Sequence, residues 1–187
     1  KLTIINNVKF FDKLKNVYIE GKKIIYNQIT DVVQTFGDTY INIENKYDVY
    51  SSNLVYDRKF QKIYSDKETT IKDIKKNVFN LEDNFIFDIN KEIISSDKTN
   101  ILDNNNNEYS FEMAKINLKN NEIVGKELTV NFMDSYFGNP DNEPILKGKG
   151  ATSDENKTKI YKVAFTTCNT ENKKCPGWEL QSEEFVH

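Results

Sequence analysis

The residues that could carry chemistry in this chain are few. His187 is the only histidine and the last residue. No internal imidazole is therefore left for a Ser-His-Asp or Cys-His site, or for a His-based zinc centre. Cys168 and Cys175 have six residues between them and precede Pro176-Gly177-Trp178. Two sulfurs make half a zinc site and nothing else completes it, so no metal is expected. They read as two buried thiols or, the better reading, as a local disulfide. Loop entropy would credit so short a ring with about 2.5 kcal/mol, and the bond would imply an oxidising compartment. Asp103-Asn104-Asn105-Asn106-Asn107-Glu108 has the look of a calcium loop. It lacks the glycine at position six and the distal glutamate, so it reads as an exposed hairpin turn. Gly148-Lys149-Gly150-Ala151-Thr152 is not a phosphate loop, because Glu143 stands where the first glycine is needed. The 29 acidic residues include no recognisable acid/base pair. The chain reads as non-enzymatic, with no cofactor.

The elements that position these residues read as β-strands. At 187 residues and 21.9 kDa the chain suits a single domain over residues 1–187. A net charge of −3 makes no electrostatic case for nucleic acid or an anionic membrane surface. No apolar run approaches the roughly 18 residues a membrane helix needs. Lys1-Leu2-Thr3 is neither an initiator Met nor a signal peptide, so the chain reads as a piece of a longer one. Ile, Leu, Val and Phe make up about 28% of it, enough for a lean core. Ala occurs only three times, while Ile, Val, Thr, Tyr and Phe abound, which favours an all-β fold. A single Arg against 25 Lys, with abundant Asn and Ile, looks like A/T-rich coding, so the Asn content is given no functional weight.

Alternation of period two marks Thr39–Glu44, Leu128–Phe132 and Lys159–Val163 as strands with one dry face. Thr70 to Asn80 is the one weak helical pattern. The chain also resembles itself. Lys23-Ile24-Ile25-Tyr26-Asn27 recurs as Asn53-Leu54-Val55-Tyr56-Asp57 and as Asn84-Phe85-Ile86-Phe87-Asp88, with a fainter copy at Lys115–Leu118. Each copy precedes a polar turn and a second short apolar strand. The period of about 30 residues predicts stacked units that bury their apolar faces only against neighbours. Asp134 to Asn156, rich in Gly and Pro, is predicted to be loop.

The carboxy-terminal third carries a resemblance. Leu146–Ser153, then Lys159–Cys168 with its Thr166-Thr167-Cys168, then Cys175-Pro176-Gly177-Trp178-Glu179-Leu180 resemble the LptD family of outer-membrane lipopolysaccharide-assembly proteins, also called organic solvent tolerance proteins. The repeats ending in Leu54-Val55-Tyr56-Asp57 resemble the OstA-type repeats of that family's periplasmic region. Together the likeness runs from about Tyr18 to His187. It implies an open antiparallel β-jellyroll, two sheets in a V, that receives lipopolysaccharide from an LptA-like periplasmic bridge protein. The lipid then passes to the protein's own carboxy-terminal membrane barrel, which is partnered by an LptE-like lipoprotein. Some family members tie this region to the barrel by long-range disulfides, whereas both cysteines here are local.

A lipid acyl chain of a dozen carbons faces roughly 10 kcal/mol of exposure in water at about 0.8 kcal/mol per methylene. Its carrier needs a long dry trough. The expected lining is Ile41, Ile43, Leu54, Tyr56, Phe85, Phe87, Ile116, Leu118, Val130 and Phe132; in a closed sandwich the same residues would simply fill the core. A one-residue slip would invert the set. The edge for the bridge protein is expected at Ile4, Ile5, Val8 and Phe10, which could equally form an internally paired first strand. Rival readings are a bridge protein of the same fold, a polysaccharide-acting β-solenoid enzyme and an adhesin sandwich.

Overall fold

A computed structural model describes residues 2–132, 144–153, 157–167 and 178–186. Cys168, Cys175 and His187 lie outside the described residues. The described chain is all β, in the order β1 (Leu2–Asp12), β2 (Val17–Asn27), β3 (Val32–Ile43), β4 (Tyr47–Ser51), β5 (Val55–Asp57), β6 (Lys62–Ser65), β7 (Thr69–Asp73), β8 (Val78–Asp88), β9 (Ile93–Leu102), β10 (Glu108–Asn117), β11 (Glu122–Asn131), β12 (Ile145–Ser153), β13 (Thr158–Thr166) and β14 (Leu180–Val186). All pairings are antiparallel, and each pass of the chain pairs with the pass before it. Short polar turns make this the cheapest connection between antiparallel neighbours.

Two passes are broken. β4 and β5 lie in line along β3, and β6 and β7 lie in line along β8. Because β4 pairs with β7 and β5 with β6, the pairings β3-β4-β7-β8-β6-β5 close into a ring of six strands. Elsewhere the passes are long and bend at mid-length. Register shifts fall between Ile5 and Val8, Gly21 and Lys23, and Asp83 and Ile86. Left-handed backbone appears on the same line at Asn84, Lys98, Glu127 and Lys162. Bulges of this kind bend a strand sharply, so the sheet folds over on itself in the manner of a jellyroll. One arm ends at the turns 13–16, 44–46, 74–77 and 103–107; the other ends at 28–31, 58–61, 89–92 and 118–121.

The 30-residue period has a structural counterpart. Its copies occupy β2, β5, β8 and β10, each running into a turn of the second arm. Those turns stack by backbone hydrogen bonds, from Arg58 N to Asp31 O, Ile89 N to Gln61 O and Leu118 N to Glu92 O.

Two expectations are corrected. Thr70–Asn80 is a hairpin of β7 and β8. Ile71 and Phe79 face inward as a cross-strand pair, Ile74 is exposed, and the Asp73 carboxylate accepts the Asn77 N–H to close the turn. The predicted loop over 134–156 contains β12. Gly148 is needed there for close packing: a Cβ on it would lie 2.3 Å from Ile160 Cγ2.

Candidate functional site

The ten expected lining residues divide by position. Ile41, Ile43, Leu54, Tyr56, Phe85 and Phe87 point inward and are 0–1% exposed. They fill the space between the arms around the six-strand ring, where Tyr47 meets Phe87 edge-on at 5.4 Å. Val130 is buried, and Phe132 packs half-buried on the core. Only Ile116 and Leu118 line an open space, a cavity of about 280 Å³ between the arms. Phe79, Ile101, Phe111 and Leu128 enter it from one arm, and Ile116, Ile123, Ala151 and Ile160 from the other. The trough is therefore not continuous: it is packed shut across the ring and open further along the chain.

Of the apolar residues lining the open space only Ala151 is small, whereas Tyr47, Tyr56, Phe85 and Phe87 fill the ring. The glycines nearby open no space of their own, because neighbouring side chains occupy the room beside them. Gly125 is forced by Phe111, whose ring would lie 2.3 Å from a Cβ there. An apolar cavity near 150 Å³ already holds benzene, so this one has room for a length of hydrocarbon chain.

The mouth of the cavity is polar. Asp73, Asn77 and Asp103 stand on one arm, and Asn117, Asn121, Ser153 and Thr158 on the other. Sequence reading missed that Asp73–Asn77 and Asp103–Asn107 are the same turn, thirty residues apart. In both, the aspartate accepts the N–H and the side-chain amide of the asparagine four residues on. The Asp-x3-Asn spacing was the available signal, and it shows that Asp103–Asn107 is a hairpin turn.

Three contacts clasp the turns of one arm to those of the other, each 46 residues apart in sequence. Arg58 binds Asp12 at 2.9 Å and Asp31 at 2.6 Å. Burial works against ionising Asp12, but the Arg58 hydrogen bond and charge, with the Lys15 N–H and the Tyr56 hydroxyl, outweigh it and hold the carboxyl below its usual range. Next, Glu92 accepts the Tyr47 hydroxyl at 2.7 Å and Lys46 at 3.3 Å. The Tyr47 bond, against the opposing effect of burial and helped by Lys46, lowers the Glu92 pKa. The third, at the cavity mouth, is an exposed hydrogen bond from Lys75 Nζ to Asn121 Oδ1 at 3.1 Å.

The expected edge residues lie in β1, a strand that among the described residues pairs only with β2. Ile4 and Ile5 are exposed, Val8 is buried, and Phe10 packs half-buried beside Tyr26. At the other end β14 is exposed along its whole length. Among the described residues no group of His, Cys, Asp and Glu is arranged to hold a metal ion.

No protein-family model matches the chain, and no curated protein matches it.

Proposed function

We propose that this chain is a non-enzymatic lipid-transfer domain of the LptD type. In this reading it sits in the periplasm as part of an outer-membrane protein and takes lipopolysaccharide from an LptA-like bridge toward its own barrel and LptE-like partner. The observation that carries this is the apolar cavity between the two arms, opening through a polar mouth. Such a shape suits an amphiphile: the hydrocarbon leaves water while the head stays wet. The outer edge of β1, unpaired among the described residues, supports the bridge contact, since an exposed strand edge accepts a partner strand. The filled ring then acts as the rigid frame that holds that edge.

The test is photo-crosslinking to lipopolysaccharide. A photoreactive residue replaces Leu118, which lines the cavity, or Val124, which is 56% exposed on the outer face. An adduct from position 118 alone is expected. Equal adducts from both positions, or none from folded protein with lipid in excess, would contradict the proposal.

A further inference from the structure

The three cross-arm clasps are built alike except in one respect. In the first two, a cation on one arm meets a carboxylate on the other: Arg58 with Asp12, and Lys46 with Glu92. In the third, the place of the carboxylate is taken by the neutral amide of Asn121. Lys75 makes no ion pair among the described residues, and an ammonium offers three donors. The clasp that lacks an anion is also the one beside the cavity, since Asn121 itself lines it.

Among the described residues, the two carboxylates that line the mouth are committed elsewhere. Asp103 accepts four donors, from the N–H groups of Asn105 and Asn107, the Asn107 amide and the Tyr109 hydroxyl. Asp73 accepts the backbone and side-chain N–H of Asn77. Lys75 is thus a charged group beside the mouth whose hydrogen-bond partner among the described residues carries no charge.

We infer that Lys75 is the residue that holds the anionic head of an amphiphile seated in this cavity. The hydrocarbon chain enters between Ile116 and Ile123. The anionic head, a carboxylate or phosphate, takes the place of Asn121 as the partner of Lys75 and supplies the charge that Asp12 and Glu92 supply in the other clasps. This rests on the reading of the cavity as an acyl-chain site and adds the residue that holds the head group.

The experiment measures binding of dodecanoate, dodecyl phosphate and dodecanol, each below its aggregation concentration, with inorganic phosphate as a head-only control. Dodecanoate and dodecyl phosphate should bind about tenfold more tightly than dodecanol, the worth of one ionic hydrogen bond, and inorganic phosphate should not bind. Lys75→Met should erase the preference and Lys75→Arg keep it. Asn121→Asp, which completes the third clasp internally, should weaken the anionic ligands about tenfold relative to dodecanol. Dodecanol binding as tightly as dodecanoate, or Asn121→Asp without effect, would overturn the inference while leaving the carrier reading intact. If none of the three chains bound, the carrier reading would fall and the inference with it.

Discussion

The two halves of this molecule share strands, period and bend, yet one is packed and the other hollow. Around the six-strand ring, Tyr56, Phe85, Phe87 and Ile41 leave no gap between the arms. From β8 to β13 the inward side chains, Phe79, Ile116 and Ala151 among them, stop short of one another and a cavity remains. The clasps are graded in the same sense, from the buried Asp12–Arg58 pair through Glu92 to the exposed Lys75–Asn121 contact. Cavity and weak clasp thus fall together. The comparison teaches that a repeat fixes the scaffold, while what faces each inward side chain across the arms decides whether a unit is structural or receptive.

The largest effect should come from breaking the filled half. Phe87→Ala removes a fully buried ring against Tyr47 and should cost about 3–5 kcal/mol in denaturant unfolding. Next, Asp12→Asn strips Arg58 of a buried ionic partner and should cost about 1.5–3 kcal/mol. The pH dependence follows from the same residue. A carboxyl whose folded pKa is lowered contributes stability that is present above its unfolded pKa and lost as pH falls through the folded one. The melting temperature of the wild type should therefore drop below about pH 4, and the Asp12→Asn curve should be flatter over that range.

In the hollow half, enlarging the floor tests the opposite behaviour. Ala151→Leu grows into the cavity and should stabilise the fold by about 0.5–2 kcal/mol, as cavity filling commonly does. Val33→Phe, in the packed half, should destabilise by about 1–3 kcal/mol through overpacking. The smallest effect belongs to the exposed clasp: Lys75→Ala should change stability by less than about 0.5 kcal/mol by thermal melting. A larger loss would mean that the arms depend on that contact, and the grading of the clasps would be wrong.

Much of the fold was legible because the inward rows alternate with period two and recur every 30 residues. Ile41, Ile43, Leu54, Tyr56, Phe85, Phe87, Ile116 and Val130 are buried. What stayed hidden was which stretch of the trough is filled. Phe85 and Ile116 look alike in a pattern of apolar and polar residues, and their difference arises from what faces them on the other arm, a contact far away in sequence. Glycines misled for a similar reason. Gly148 reads as a turn residue, but it lies mid-strand because Ile160 leaves no room for a Cβ. Asparagine, set aside as a bias of coding, turns out to take left-handed backbone at Asn16, Asn45, Asn84, Asn106 and Asn121, a conformation it tolerates better than most residues. The clasps were invisible to local reading, since 46 residues separate their partners.

The most direct test of the central claim compares lipopolysaccharide binding by the wild type, Ala151→Leu and Val33→Phe, each checked for folding by circular dichroism. Loss of binding in Ala151→Leu, with binding retained in folded Val33→Phe, is the expected result and would place the lipid in the hollow half. Full binding by a folded Ala151→Leu protein would contradict it.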